Sequence, residues 1–216
     1  DEADIIVTNP PFSLFREFLG WLVAGNKDFV MIGNMNAITY KEVFPLIKDN
    51  KMWLGATANG NDLVFRVPEG YEVAEGDRLK AEKLGYIGDY TRLGNACWFS
   101  TLDHGRRHEP LSLMTQQDNI RFNKSIGSEG YQKYDNYDAI EVPRTDAIPS
   151  DYEGVMGVPI TFLSKYNPDQ FEIVGLAAGN IRGLAGIPSS TGKDGPYVDG
   201  KLKYGRILIR HRKAVQ

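Results

Sequence analysis

One cysteine, Cys97, stands in 216 residues, so no disulfide can form within the chain and a disulfide-stapled secreted scaffold is excluded. No apolar run approaches the roughly 20 residues of a membrane-spanning helix, and no signal peptide opens the sequence; a soluble, cytoplasmic protein is expected. A basic excess is lacking too. Twenty-five Lys and Arg against 28 Asp and Glu give a net charge of −3, which is not the balance of a protein that coats DNA along its whole length. Internal repeats and low-complexity tracts are absent. No initiator Met precedes Asp1, and the chain is expected to be a fragment of something longer.

What is present is a hydrophobic content of 42%, enough to bury a sizeable core in one large domain or two small ones. Ile5-Ile6-Val7 reads as a short strand buried on both faces. Ser13 is a plausible N-cap for a helix whose apolar positions Leu14, Phe15, Phe18, Leu19, Leu22 and Val23 recur at helical spacing, with Gly25 as its stop. Phe29–Ile32 predicts a second buried strand. Tyr40–Asn50 has helical composition, broken or kinked at Pro45. Met52–Leu54, Leu63–Val67 and Ala96–Leu102 predict further strands, with a helix-and-loop excursion over 69–90. This alternation is an α/β signature with a parallel sheet. Beyond about residue 103, Tyr, Asp, Asn, Gly and Pro become dense. Strands are expected at Ala139–Val142, Ile160–Leu163, Phe171–Gly175 and Arg206–Arg210, the last central or well covered. The expected division is therefore 1–102 and 103–216, the second a loop-rich α+β module with a binding role.

Asn9-Pro10-Pro11-Phe12 carries the most chemistry. A residue before proline is pushed into extended geometry, and two prolines fix the next φ angles. Asn9 and the Pro10 carbonyl are thereby held at the carboxyl end of the first strand, where open parallel sheets bind ligands. An aryl amine is a poor nucleophile because its lone pair is delocalised into the ring. Two acceptors, the Asn9 side-chain oxygen and the Pro10 carbonyl, can take its two N–H bonds and favour a tetrahedral nitrogen aimed at a methyl group. Phe12 can stack on the base that carries the amine, worth roughly 1–3 kcal/mol.

Thr8-Asn-Pro-Pro-Phe12 resembles the catalytic motif of S-adenosylmethionine-dependent amino-methyltransferases, written in that family Asn/Asp-Pro-Pro-Tyr/Phe. Phe29–Asn36, Gly94-Asn-Ala-Cys-Trp-Phe99, Gly157-Val-Pro-Ile-Thr-Phe-Leu163 and Asn167-Pro-Asp-Gln-Phe171 are similar to the EcoRI-type adenine-specific DNA methyltransferases, a likeness that covers nearly the whole chain. The resemblance implies S-adenosylmethionine-dependent N6-methylation of adenine in double-stranded DNA, with the base flipped out of the duplex at a cost of a few kcal/mol. It implies catalytic roles for Asn9, Pro10, Pro11 and Phe12. Similar motifs serve RNA bases and protein glutamine nitrogen, and a non-catalytic nucleic-acid-binding fragment is the alternative from another class.

The donor in such sheets is expected on a Gly-rich turn with an acidic residue for the ribose. Only eight residues precede Asn9. The expected fold is thus part of a Rossmann-like methyltransferase sheet, its N-terminal cofactor half missing and its donor site incomplete. A permuted order would use Glu172-Ile-Val-Gly-Leu-Ala-Ala-Gly179, but Gly183, Gly186, Pro188 and the polar run Ser189–Gly195 that follow favour a flexible surface loop. Asn34 and Asn36 are expected on the same sheet edge as Asn9, lining the adenine or donor pocket or else holding turns. In His104-Gly-Arg-Arg-His108, Arg106 and Arg107 are candidate DNA contacts, with a solvated turn as the alternative. His104 and His108 lack a completing ligand set, so no metal is expected. Lys201, Lys203, Arg206, Arg210, Arg212 and Lys213, with His211 and no acid among them, form a basic tail from which Arg210 and Arg212 are candidate DNA contacts.

Overall fold

The structure is a computed structural model that describes residues 2–56, 63–179 and 183–212. Its elements run β1 (Ile5–Thr8), α1 (Phe15–Ala24), β2 (Asp28–Asn34), α2 (Phe44–Lys48), β3 (Trp53–Leu54), β4 (Leu63–Arg66), α3 (Glu75–Lys83), β5 (Tyr90–Leu93), β6 (Ala96–Ser100), α4 (Gln116–Phe122), β7 (Ala139–Glu141), β8 (Val155–Pro159), β9 (Phe171–Ala177), β10 (Tyr197–Val198), β11 (Lys201–Leu202) and β12 (Arg206–His211), with 3-10 turns between. They gather into two compact units, residues 1–36 with 54–102 and residues 37–53 with 103–216. No helix among the described residues is long and apolar enough to cross a membrane.

The first unit holds a mixed sheet in the order β1-β2-β6-β3. β1 and β2 are parallel, from Ile5 opposite Asp28 to Thr8 opposite Met31, with α1 as their crossover. β2 and β6 are antiparallel, from Val30 opposite Ser100 to Asn34 opposite Ala96. The α/β character expected from the alternation is present, and the parallel pairing expected with it is realised in the first pair of this sheet. The expectation that β1 is buried on both faces is not met: Ile5 is 50% and Val7 71% exposed. β1 is an edge strand, which leaves these two side chains largely open. Phe15, Leu19 and Leu22 form the buried face of α1, over Phe29, Met31 and Phe99 in the core of the unit. Ser13 does not cap α1. The chain first tightens into a 3-10 turn over Phe12–Leu14, in which the Leu14 N–H donates to the Pro11 carbonyl at 2.9 Å, and Leu14 stands at the cap position without a side-chain bond. Pro11, extended at φ −53° and ψ 132°, imposes that delay. Gly25 ends α1 as expected, its N–H on the Trp21 carbonyl at 3.0 Å.

The second unit is built on a sheet in the order β7-β8-β12-β9, with β7–β8 parallel and β12 antiparallel to both of its neighbours. β12 is central, and Ile207, Leu208 and Ile209 are fully buried, as its continuous apolar centre requires. Two expectations fail here. Ile160–Leu163 is not a strand but part of a 3-10 turn over Ile160–Lys165; the strand is β8, and Pro159, with no N–H to extend a ladder, closes it. The helix expected over Tyr40–Asn50 shrinks to Phe44–Lys48, with Pro45 in its first turn, where a missing N–H costs nothing.

The loops of this unit are tied from within. The Asn136 side chain is buried, donates to the Lys193 and Gly195 carbonyls at 3.0 and 2.9 Å, and accepts from the Tyr197 N–H at 3.1 Å. The Tyr137 O–H donates to the Asp194 carbonyl at 2.7 Å. The run Ser189–Gly195, expected as a flexible surface loop, is instead a clamped one. Gly175 before it is a packing glycine: a Cβ there would strike the Ala185 backbone, where the chain folds back and the Leu176 N–H donates to the Leu184 carbonyl at 2.7 Å. No helix opens after Gly183 among the described residues, so the permuted donor site has no helix N-terminus there.

Candidate active site

Asn9 follows the last paired residue of β1, and Asn34 closes β2, so both stand at the carboxyl edge of one parallel pair. Asn9 is exposed and its side chain has no hydrogen-bond partner among the described residues. Pro10 is buried, which anchors the turn. Pro11 is exposed, and Phe12, 36% exposed, offers part of its ring to solvent. Behind them, the Phe15 N–H donates to the Phe12 carbonyl, so the turn runs directly into α1. An open amide acceptor, a rigid carbonyl and an accessible aromatic ring thus lie within four residues on one sheet edge. Such a set can hold an amine-bearing ring without a titrating base.

The other asparagines of this edge resolve toward turn roles. Asn34 is half-buried and its Oδ1 accepts the Asn36 N–H at 2.9 Å. The next residue, Met35, donates its N–H to the Asn95 carbonyl at 2.6 Å. Asn95 has a φ of 56°, the left-handed conformation that Asn tolerates best after Gly, so the Gly94-Asn95 turn acts as a tie to the end of β2. Cys97 is fully buried on β6, and burial pushes its thiol up to about 12. It is a core residue and not a nucleophile.

The basic residues are more engaged than their sequence context suggested. Arg106 is exposed on the 3-10 turn Gly105–His108. Arg107 is buried: its guanidinium lies 3.7 Å from the Trp53 ring centroid, donates to Asp103 Oδ1 at 2.6 Å, and reaches Asn50 Oδ1. His108 Nε2 lies 2.8 Å from Asp103 Oδ2, and its Nδ1 lies 3.6 Å from Asp169 Oδ2. The hydrogen bond from His108, then that from Arg107, holds the Asp103 carboxyl down at about 2, against partial desolvation; the same contact raises His108. Asn167-Pro-Asp-Gln-Phe171 explains its presence here: Asp169 faces His108, and the Gln170 amide pairs with both backbone groups of Leu111 at 2.8 and 2.9 Å.

The basic tail meets acids from elsewhere in its unit. Arg206 is paired with Glu141, Arg210 donates to Glu172 Oε2 at 2.8 Å, and Arg212 Nε donates to the Pro168 carbonyl at 2.6 Å. Arg210 and Arg212 remain exposed on the rim of a cleft of about 950 Å³ that also carries Asp151, Glu153, Glu172 and His211. Lys213 lies outside the described residues. Among the described residues, no three His, Cys, Asp or Glu side chains are placed to hold a metal ion.

Residues 1–212 match the family model described as adenine-specific methyltransferase EcoRI. The chain is 44% identical to the Type II methyltransferase M.EcoRI of Escherichia coli over 98% of its own length and 59% of the relative's. It is 33% identical to the Type II methyltransferase M.MpnI of Mycoplasma pneumoniae over 99% of itself and 66% of that protein, and 36% identical to M.MgeORF184P of Mycoplasma genitalium over 98% and 66%. It therefore spans less than two thirds of the length of these curated relatives. No solved structure matches it significantly. With an open Asn-Pro-Pro-Phe turn at the carboxyl edge of a parallel strand pair and a match that runs from its first residue to 212, the chain belongs to the EcoRI adenine-specific methyltransferase family.

Proposed function

We propose that this chain carries the amine-binding turn and the DNA-recognition module of an enzyme that methylates adenine N6 in double-stranded DNA, the second beginning near residue 103. The observation that carries the reading is the open Asn9 side chain, set beside the buried Pro10 and the accessible Phe12. In this reading a flipped adenine stacks on Phe12, and its amino group donates one N–H to Asn9 Oδ1 and the other to the Pro10 carbonyl. Positive charge grows on N6 as the methyl–nitrogen bond forms. Two fixed acceptors stabilise that charge without reorganising. The second amine proton leaves to water after transfer.

The methyl group comes from S-adenosylmethionine, which supplies an electrophilic methyl on a sulfonium. In this reading the donor site is only partly contained in the described residues. The turn after β1 contains no glycine, and α1 opens without a side-chain cap. The 50% and 71% exposures of Ile5 and Val7 leave an apolar flank on an edge strand. We assign that flank to a larger Rossmann-like sheet whose donor-holding part lies outside these residues. Three of the four candidate DNA arginines, Arg106, Arg210 and Arg212, are exposed and suited to phosphate. Arg107 acts on the DNA indirectly, by fixing the turn that presents Arg106.

The test is transfer of labelled methyl from S-adenosylmethionine to duplex DNA by the full-length protein and its Asn9→Ala variant. Label recovered as N6-methyladenine, with a fall of about 10²–10³-fold in kcat for the variant, is expected. Label in RNA, in protein glutamine or in no acceptor would replace the reading. Full activity of Asn9→Ala would remove Asn9 from it.

A further inference from the structure

Gly33 lies on β2, one residue before Asn34, with no side chain of its own. The Phe15 ring fills the space that such a side chain would take. A Cβ on Gly33 would stand 2.8 Å from Phe15 Cδ2, closer still to Cε2, and 3.0 Å from Phe99 Cε2. Both rings belong to the packed core of the unit. Phe15 is 2% exposed and Phe99 fully buried, and their centroids sit 5.1 Å apart at 60°. The backbone of Gly33 shows no positive φ, so it is the missing volume and not a special conformation that the position uses.

Phe15 opens α1 and its N–H donates to the Phe12 carbonyl, while the preceding Leu14 N–H donates to the Pro11 carbonyl, so two backbone bonds join the start of the helix to the Asn9–Phe12 turn. The turn has few other anchors, since Asn9, Pro11 and Phe12 are exposed and Pro10 alone is buried. Thr8 pairs with Met31, so Pro10 and Gly33 each stand two residues beyond the last parallel pair. We infer that Gly33 is a positioning residue for methyl transfer: by carrying no side chain it seats Phe15, and Phe15 sets the depth of the turn that presents Asn9, Pro10 and Phe12. A methyl group at position 33 drives the ring outward, and the turn moves with it.

This inference rests on the role proposed for the turn, and its test separates the two. Full-length protein and its Gly33→Ala, Phe15→Leu and Gly33→Ala/Phe15→Leu variants are assayed for kcat and KM on duplex DNA and for thermal unfolding. In parallel, the backbone amide resonances of Asn9, Phe12 and Leu14 are recorded without substrate. Gly33→Ala is expected to lower kcat by about a hundredfold, the cost of a misplacement of about 1 Å, with KM for DNA changed less than threefold. It also shifts the three amides. The double variant, in which a smaller leucine side chain in place of the Phe15 ring makes room for the added methyl group, restores the amide positions and at least a tenth of wild-type kcat. A merely structural role would lower the unfolding temperature without the kcat-selective loss or its rescue. Wild-type kcat in Gly33→Ala, or unmoved amides, overturns the inference; so does a loss that Phe15→Leu does not relieve. An inactive wild-type protein counts against the methylation reading alone, because the amide shifts still decide whether Gly33 seats the turn.

Discussion

Replacing Glu141 by Ala is expected to destabilise the second unit by about 3–5 kcal/mol, the cost of breaking a buried ion pair from one side. Arg206 donates through Nε at 3.1 Å and through Nη2 at 2.5 Å to the two carboxylate oxygens of Glu141, and the Tyr134 O–H donates to the same carboxylate. The side chains of Glu141 and Arg206 are 7% and 12% exposed, and Tyr134 is 5% exposed. Without Glu141, a guanidinium and a phenol are left facing a low-dielectric interior. Arg206 keeps slightly more access to water than its partner, which places the loss toward the lower end, near ~3 kcal/mol. The companion variant is Glu141→Leu/Arg206→Met/Tyr134→Phe. It removes all three polar groups together and is expected to lie within about 1 kcal/mol of wild type or above it, since desolvation of the pair offsets most of its attraction. Urea denaturation of both variants reads the effect, and equal m-values show that the unfolded reference is unchanged. A loss below about 1 kcal/mol for Glu141→Ala at unchanged m would show that water reaches the site and that the burial reasoning is wrong. The same pairing predicts that Arg206→Met in the triple variant leaves the salt dependence of DNA binding unchanged, because this cation already faces an internal acid.

The two adjacent arginines of the His104–His108 turn should separate cleanly. Arg106→Ala reduces the slope of log affinity against log salt by about one with little change in stability, whereas Arg107→Ala lowers the unfolding midpoint and quenches or shifts the fluorescence of Trp53. Equal salt slopes in the two variants would reject the assignment. Asp103 sits depressed at about 2, so its contribution to stability is present above the ordinary carboxylate range and is lost as pH falls from there through about 2. His108 is raised, so its contribution is complete below the ordinary imidazole value and is lost as pH rises through its native one. An NMR titration of His108→Ala should find Asp103 returned toward the ordinary carboxylate value, and an unmoved Asp103 would mean that the His108 contact does not hold it down. Cys97, buried with its thiol pushed up to about 12, should resist iodoacetamide in the native protein and react fully in denaturant; native alkylation at the denatured rate would contradict the burial.

The Asn9–Phe12 turn, α1, β2, β6 and the central β12 were legible because their signals are local: prolines that fix φ, helical spacing, and apolar runs with polar ends. Their partners were not. The antiparallel place of β6 beside β2 depends on residues about seventy positions apart, as in the Ser100 hydroxyl that donates to the Phe29 carbonyl at 3.0 Å, and nothing in either segment specifies it. Ile160–Leu163 failed as a strand because four apolar residues suit a buried 3-10 turn equally well, and the arbiter was Pro159 just before them. The partners of the arginines were not legible for one shared reason. A run of cations does not disclose which distant side chains will receive it. Glu141, Glu172, Asn50 and Trp53, which receive Arg206, Arg210 and Arg107, are all remote in sequence. Gly33 left a faint trace, as a glycine inside a buried strand signals a close approach, but only the structure shows that Phe15 makes it.

The two units hold their functional surfaces by different physics, and this decides which substitutions each tolerates. The Asn9–Phe12 turn is positioned by covalent stiffness at Pro10 and Pro11 and by the missing side chain at Gly33, so any gain of volume there is costly while its exposed side chains can change without unfolding the protein. In the second unit the loops are positioned by side-chain hydrogen bonds, with the buried Asn136 holding Gly195 and Tyr197, the half-buried Gln170 holding Leu111, and the exposed Asp103 holding His108 and the buried Arg107. There the exacting requirement is hydrogen-bond geometry: at the buried Asn136, an isosteric exchange that loses the donor leaves its carbonyl partners unsatisfied in the interior. A site for one invariant chemical step is served by the first arrangement, whose geometry is set by local bonds. The DNA-reading surface proposed for the second unit is served by the second arrangement, in which loop contents can change while the clamps beneath them stay.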